Sequence, residues 1–352
     1  MGRVYLLLLW WLAGRNLMLY GAEAGDTLLF RVVSYNTENL FDCRDDSLKA
    51  DEEFLPDAVR HWTPTKYRKK LDAIGRVVVA AGGDRMPPAL VALCEVENDS
   101  VLTDLTRRSL LREAGYRYVM THSPDVRGID VALLYQRHLF KPVACQSLLV
   151  AGASRNHRPT RDILHVSGRL LNSDTLDVFV VHFPSRSGGA KQSEPRRLAA
   201  ARRLRRATDS LFLIRRHPQI LVLGDFNDYP RNASIRQVLQ AEAPSSADDI
   251  IEPHRLYHLL ADKAATRKGY GSYKYQGAWG LLDHILVSGT LLQPSSTLHT
   301  APSMADVFAP SFLLTDDPKY GGVQPLRSYV GMKYQEGYSD HLPVFADFII
   351  IY

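Results

Sequence analysis

Cysteine is scarce. Cys43, Cys94 and Cys145 are three thiols in 352 residues, too few and too scattered for a disulfide framework, and none has a partner at metal-site spacing. A disulfide-stapled scaffold and a thiolate zinc site are thereby excluded. A single Cys43 to Cys145 bridge stays open, and Cys94, inside an apolar run, reads as a buried thiol. Internal repeats, low-complexity tracts and Gly/Ser linkers are absent too, so one domain is the simplest reading. No apolar run reaches the roughly 20 residues that a membrane-spanning helix needs. The nearest, "VYLLLLWWLA" after Arg3, is followed by Ala22 and Ala24 in an A-x-A arrangement and reads as a leader cleaved after Ala24, with an uncleaved anchor as the alternative. The expected division is a signal peptide at 1–24 and a single domain at 25–352, exported to the periplasm, the cell surface or the medium.

What is present suits a globular chain: 45% hydrophobic and 23% charged residues allow a large core and exclude disorder. The formal charge of +5 falls to +4 when Arg3, Arg15 and Glu23 leave with the leader. Basic residues concentrate between Arg186 and Arg206, where Arg186, Lys191, Arg196, Arg197, Arg202, Arg203, Arg205 and Arg206 face only Glu194.

Periodicity places strands at "TLLFRVVSYNT", "ALVALCEVEN", "LDVFVVHFPS" and "QILVLGDFND", each apolar and each ending in polar residues. Alternating runs, "YRYVMTH" and "IDVALLY", lie between them. A helix is expected from about Thr65 to Ala81, with Tyr67, Leu71, Ile74, Val77 and Val78 on one face. A second is expected from about Ser193 to Arg216, with Leu198, Ala201, Leu204, Thr208 and Leu211 inward and most arginines outward. A short helix near Ser234 to Gln240, the strand "GLLDHILVS", an irregular region from Pro294 to Tyr338 and "SDHLPVFADFII" complete the chain.

An unpaired buried carboxylate costs several kcal/mol, so Asp and Asn at the end of "LVLGDFNDYP" require a use. The strand-end inventory is Asn36, Glu95, His182, Asp225, Asn227, Asp283 and the pair Asp340 and His341. Carboxylates with amide and imidazole neighbours suit a hard divalent cation held through oxygen, and Mg²⁺ takes only one or two protein carboxylates. Two histidines beside acids suit general acid–base work. Taken singly, each is as well explained by a turn, a cap or a satisfied core histidine; their joint occurrence in this order is the signal.

In "VVSYNTENLFD", "LVALCEVEN", "RGIDVALLY", "VVHFPSRSGG", "LVLGDFND", "LLDHILVS" and "YSDHLPVFADF", the chain resembles the endonuclease/exonuclease/phosphatase superfamily, from Arg31 to Phe348. An exported, bacterial-type member is expected. The resemblance implies an α/β fold, a four-layer αββα sandwich of two mostly antiparallel sheets packed face to face, as in deoxyribonuclease I, with the strand-end residues converging at one rim and Gly224 allowing a tight exit from its strand. It also implies roles. Glu95 would be the principal ligand of Mg²⁺, with Mn²⁺ or Ca²⁺ as substitutes, and Asn36 and Asp340 would lie close to the metal. His341 would contact the scissile phosphate, oriented by Asp283. Asp225 would activate water or protonate the leaving group, Asn227 would contact the phosphate, and His182 would be the second histidine. Whether Asp225 or His341 takes the proton of water is left open, and Asp130 is a bare candidate for the partner of His182. Glu97, Asp99 and Asp228 are expected in supporting positions, and Glu38 either near the metal or in a solvated loop.

The reaction expected is in-line hydrolysis of a phosphodiester, by a monomer, with DNA or RNA as substrate. Arginines after His182 favour nucleic acid, and Arg186 beside Gly188 and Gly189, Arg127, and Tyr334 within the irregular region are the candidate substrate-binding residues. A solvated helix face is the plain alternative for the Arg202 to Arg206 cluster. A sphingomyelinase-like enzyme or an inositol-phosphate phosphoesterase is the competing expectation, with "MADVFAPSFLL" as an apolar loop for phospholipid. A non-catalytic binding protein of the same fold is a remote third, disfavoured by the complete set of site residues.

Overall fold

The structure, a computed structural model, describes residues 26–83, 86–151, 159–244 and 250–352, so the leader assigned to 1–24 lies outside the described residues. The first part of the chain forms β1 (Thr27–Leu40), α1 (Pro64–Ala81), β2 (Leu90–Val96), α2 (Asp99–Arg108), β3 (Arg117–Met120) and β4 (Asp130–Tyr135). The middle forms β5 (Phe140–Leu148), β6 (Ile163–Leu170), β7 (Thr175–His182), α3 (Ala190–Ile214), β8 (Gln219–Asp225) and β9 (Leu256–His258). A hairpin, β10 (Tyr273–Tyr275) and β11 (Ala278–Gly280), leads to β12 (Asp283–Ser288), β13 (Leu298–His299) and β14 (Ala305–Val307). Two ribbons follow, β15 (Leu314–Asp316) with β16 (Val323–Pro325) and β17 (Tyr329–Val330) with β18 (Lys333–Tyr334), before the closing β19 (Val344–Ile351).

The first sheet runs β13-β19-β1-β2-β4-β3, with β14 also on β19; the second runs β5-β6-β7-β8-β12-β9. Within these sheets only β1 with β2 and β7 with β8 are parallel. Each parallel pair is joined by a crossover helix, α1 or α3, as parallel neighbours require. Period-two alternation then sorts the side chains. On β1, Phe30 and Val32 face the other sheet while Val33 and Tyr35 face α1; on β8, Leu221 and Leu223 point inward while Ile220 and Val222 meet α3. One core lies between the sheets and one lies under each helical layer, which makes the four-layer sandwich.

Pro64 at the first turn and the Thr63 hydroxyl accepting from Lys66 N start α1 one residue before its expected position. The stretch after Pro294 differs from expectation more. It is held in short paired ribbons rather than irregular, and Phe308 and Phe312 of the proposed apolar loop pack at the helical side of the first sheet, Phe312 5.4 Å from the Tyr338 ring. They are not displayed for a membrane. All three cysteines are free, and Cys94 is buried as expected. Among the described residues, no helix is long and apolar enough to cross a membrane.

Candidate active site

Alternation also builds the site. On β7, Leu176, Val178 and Val180 line the core between the sheets, and the next inward position is His182; on β8 the series Leu221, Leu223 ends at Asp225. On β12, inward Ile285 and Val287 are preceded by Asp283. Register then aligns the three, because His182 pairs with Asp225 across β7–β8 and Asp283 pairs with Asp225 across β8–β12. The second sheet thus carries a polar row at its rim, continuous with the apolar stripe below. Gly224 permits the approach: it has φ +144°, and a Cβ there would lie 1.9 Å from the Val181 carbonyl oxygen.

The first sheet supplies the facing residues. Asn36 continues the inward series of Phe30 and Val32, although β1 does not end there; it runs on to Leu40 through a register shift with left-handed Glu38 and Asn39. Glu95 departs from alternation. Cys94 already faces inward, so its successor would point to the helices, but Glu95 has φ +63° and sits in the β2–β4 register shift, which turns its carboxylate into the cleft. A non-glycine residue in that region carries strain of roughly 1–3 kcal/mol that the surrounding structure must hold. His341 arrives from the turn before β19, fixed by its N–H donating to Ser339 Oγ at 3.1 Å while Ser339 Oγ donates to the Asn36 carbonyl at 2.7 Å.

Asn36, Glu95, His182, Arg186, Asp225, Asn227, Asp340 and His341 line one cleft of about 630 Å³. His341 Nδ1 lies 2.7 Å from Asp283 Oδ2, which also accepts from Ser272 Oγ at 2.6 Å. His341 Nε2 lies 3.9 Å from Asp225 Oδ2. Asp225 Oδ2 accepts from Asn36 Nδ2 at 3.1 Å, and Asp225 Oδ1 accepts from the Asn227 N–H at 2.8 Å. Burial pushes Asp225 up to about 7, Asp283 adds to the rise, and His341 opposes it. Burial alone would lower His341, but Asp283 and Asp225 outweigh it and raise the imidazole well above its ordinary value. His182 is lowered by burial and by Arg161 and Arg127, so it stays neutral. Near pH 7 one histidine is therefore charged and the other is not.

Asp283 is fully buried and bonded to His341, Asn227 lines the cleft, and Tyr334 differs from its expected setting. The Asn227 amide donates to the Phe183 carbonyl at 3.0 Å and to Asp225 Oδ2 at 3.2 Å, so it holds Asp225 in place. The Tyr334 ring packs 5.2 Å from Tyr329 and 6.3 Å from Trp62 in an aromatic cluster and does not line the cleft. Arg127 sits at the edge, with Nη2 2.5 Å from Asn39 Oδ1 and 3.7 Å from Glu95 Oε2. Asp130 does not partner His182; it accepts from Thr121 Oγ1 and Ser123 Oγ, both at 2.5 Å. His182 Nε2 instead lies 3.7 Å from Asp225 and 3.8 Å from Glu95. Glu38 is buried and bonded to Arg327, which also reaches Asp340 Oδ2 at 3.1 Å.

Asp225, Asp283 and His341 offer three donor atoms within 4.8 Å of one another and could hold a cation. Glu95 is the other candidate ligand in the cleft. Its Oε2 takes one bond, from the Asn39 N–H at 2.9 Å, and Asn36 and Asp340 add oxygen donors to the same cleft. An all-oxygen set fits a hard divalent cation.

A model described as Endonuclease/Exonuclease/phosphatase family matches residues 31–349. The chain belongs to this family. Its members are generally divalent-metal-dependent hydrolases of phosphoester bonds. No curated protein matches the chain significantly. Solved structures share the fold: a family member from Bacteroides thetaiotaomicron at 15% identity and TM-score 0.57, covering 92% of this chain and 99% of its own. A mannosyl-6-phosphatase from the same organism matches at 15% identity and TM-score 0.55, covering 91% and 99%. TDP2 of D. rerio, solved with a single-strand DNA product, matches at 11% identity and TM-score 0.53, covering 91% and 98%.

In this phosphoesterase-type family fold, the cleft has an aromatic wall that motif reasoning passed over. Tyr229, Tyr273 and Tyr275 line it, and the Tyr273 ring lies 4.8 Å from His341 at 36°. The alternating "SYKYQ" just before "LLDH" was the available signal, since a two-residue period turns Tyr273 and Tyr275 to one side.

Proposed function

We propose that the chain hydrolyses phosphodiester bonds of DNA or RNA with the help of a divalent cation, Mg²⁺ by donor chemistry. The observation that carries this is the in-register row of His182, Asp225 and Asp283, faced across the cleft by His341 and Glu95. Glu95, Asn36 and Asp340 would hold the cation, whose contribution is to neutralise charge developing on the phosphate oxygens. Charged His341, held by Asp283, donates Nε2–H to a phosphate oxygen or to the departing one. Asp225, with an affinity for protons near neutrality, exchanges a proton with water or with the leaving oxygen, and Asn36 and Asn227 keep it oriented. Neutral His182 closes the cavity beside Glu95. Arg186 and the tyrosine wall support a polynucleotide, since guanidinium pairs with phosphate and rings stack on bases. Export is supported by the leader-like sequence at 1–24 alone.

A small phosphoester is the second reading, favoured by the likeness to a mannosyl-6-phosphatase. The deciding experiment is hydrolysis by the purified protein across double-stranded DNA, single-stranded DNA, RNA, sphingomyelin, inositol phosphates and hexose 6-phosphates, with Mg²⁺ and with chelator. Metal-dependent polynucleotide cleavage lost in Asp225→Ala and His341→Ala is expected. Turnover of a small phosphoester with none of nucleic acid sinks the nuclease proposal and keeps the catalytic one.

A further inference from the structure

One wall of the cleft does not end at its mouth. The Arg186 guanidinium lies 4.6 Å from the centre of the Tyr229 ring, and the Arg231 guanidinium lies 5.9 Å from the same ring. Tyr229 is packed so closely on the β10–β11 hairpin that a Cβ on Gly280 would fall 2.4 Å from its Cε1. The turn carrying Arg231 is equally fixed, because Asn232 Oδ1 accepts from Tyr229 N at 2.6 Å and the Asn232 carbonyl accepts from Arg236 N at 2.9 Å. Arg231 itself is exposed and pairs with no carboxylate among the described residues.

Beyond it opens a second depression of about 620 Å³, lined by Arg205, Arg231, Arg236 and Arg255. Among the described residues, Glu242 and Glu252 are the carboxylates on its wall. Arg236 and Arg255 share Glu242, at 3.0 and 3.5 Å, and Arg205 is tied to Asp209 at 2.7 Å. Among the described residues, Arg205, Arg236 and Arg255 share Asp209 and Glu242, Arg231 has no carboxylate partner, and each pair is solvent-exposed enough for a phosphate to replace the carboxylate. The sequence cluster at Arg186 to Arg206 divides accordingly. Arg186 lines the cleft, Arg205 lines the basin, Arg197 is buried, and Arg202 and Arg206 point to solvent in neither cavity.

We propose that this basin is a phosphate-binding site for a polynucleotide strand that leaves the catalytic cleft over Arg186, Tyr229 and Arg231. The site rests on the nuclease proposal and deepens it: the substrate is a chain long enough to span both cavities, held by its backbone and without regard to sequence.

The test uses two lengths of one substrate, a fluorescent 30-nucleotide single strand and a dinucleotide, with Asp225→Asn protein for binding and wild-type catalytic residues for turnover. The double variant Arg231→Glu with Arg236→Glu is expected to weaken 30-nucleotide binding at least tenfold more than dinucleotide binding. It should also reduce the slope of log affinity on log salt by about 1.4, since each single-strand phosphate deprived of its arginine takes roughly 0.7 from the slope. Arg231→Lys with Arg236→Lys should restore most of both, and melting curves check that the variants are folded. Equal losses for the two lengths, or unchanged 30-nucleotide binding while the wild-type chain cleaves it, overturn the basin and leave the nuclease intact. If wild type neither cleaves nor binds the 30-nucleotide strand, the basin is overturned, and the nuclease proposal is decided separately by the double-stranded DNA and RNA arms of the hydrolysis panel.

Discussion

Arg197 offers a sharp test of how the turn after β8 is held. It sits on α3, 1% exposed, with Nε 2.7 Å from Asp228 Oδ1, and Asp228 is 2% exposed. Its other nitrogens donate to Ser193 Oγ at 2.7 Å and to the Ala190 carbonyl at 2.8 Å. Replacing it with Met preserves most of the packing and leaves Asp228 buried with one remaining partner, the Ser234 hydroxyl at 2.7 Å. Losing one member of a buried ion pair costs about 3–5 kcal/mol, because the other charge stays desolvated and uncompensated. Arg197→Met should lower unfolding free energy in urea by that amount, while Arg197→Met with Asp228→Leu should recover most of it. Activity should fall in the single variant, since Asp228 follows directly on Asn227, which holds Asp225. The salt slope of polynucleotide binding should not change, as this arginine reaches no solvent. A loss under about 1 kcal/mol, or a double variant as unstable as the two single losses combined, would refute the reasoning.

Other outcomes follow from the same geometry. Glu97 is pushed up to about 8 by burial and by Asp42, Asp51 and Asp46, with the Asp42 N–H bond opposing. Its folded value lies above its unfolded one, so its contribution to stability is complete below about pH 4.5 and is lost as pH rises through about 8. Melting temperatures across roughly pH 5 to 9 should therefore show wild type falling against Glu97→Gln, and a constant gap opposes the assignment. Gly224→Ala should destabilise by at least about 2 kcal/mol, since both its φ and the Val181 carbonyl exclude a methyl; equal denaturation midpoints would argue against that backbone path. Asp283→Asn should reduce kcat by about 10²–10⁴ with little change in KM, as it no longer holds His341 charged. A variant with normal kcat would remove Asp283 from the proton chemistry.

Much of this was legible in the chain because the site obeys the rule of the core beneath it. His182, Asp225 and Asn36 fall where a two-residue period puts the next inward side chain, so apolar runs ending in polar residues announced them. Glu95 was found through its motif, whereas the backbone that aims it was hidden, because local pattern does not encode a left-handed residue inside a strand. Tyr334 looked like a stacking surface, but its partners Trp62 and Tyr329 come together only through tertiary packing. That Arg197 is the buried exception among mostly outward arginines was hidden for the same reason, since its partner Asp228 approaches from another element. The ribbons after Pro294 are two or three residues long, too short for any period to show.

The bond from Asn36 to Asp225 crosses from one sheet to the other, as does the Cys94 thiol reaching the Val181 carbonyl at 3.4 Å, and the bond from His341 to Asp283 ties the turn before β19 to the second sheet. The groups proposed to perform the chemistry are thus also the clasp that shuts this end of the sandwich. Slippage between the sheets anywhere in the shared core would be registered here first, as a misplaced carboxylate, and a ligand that tightens the clasp would raise the melting point of the whole fold.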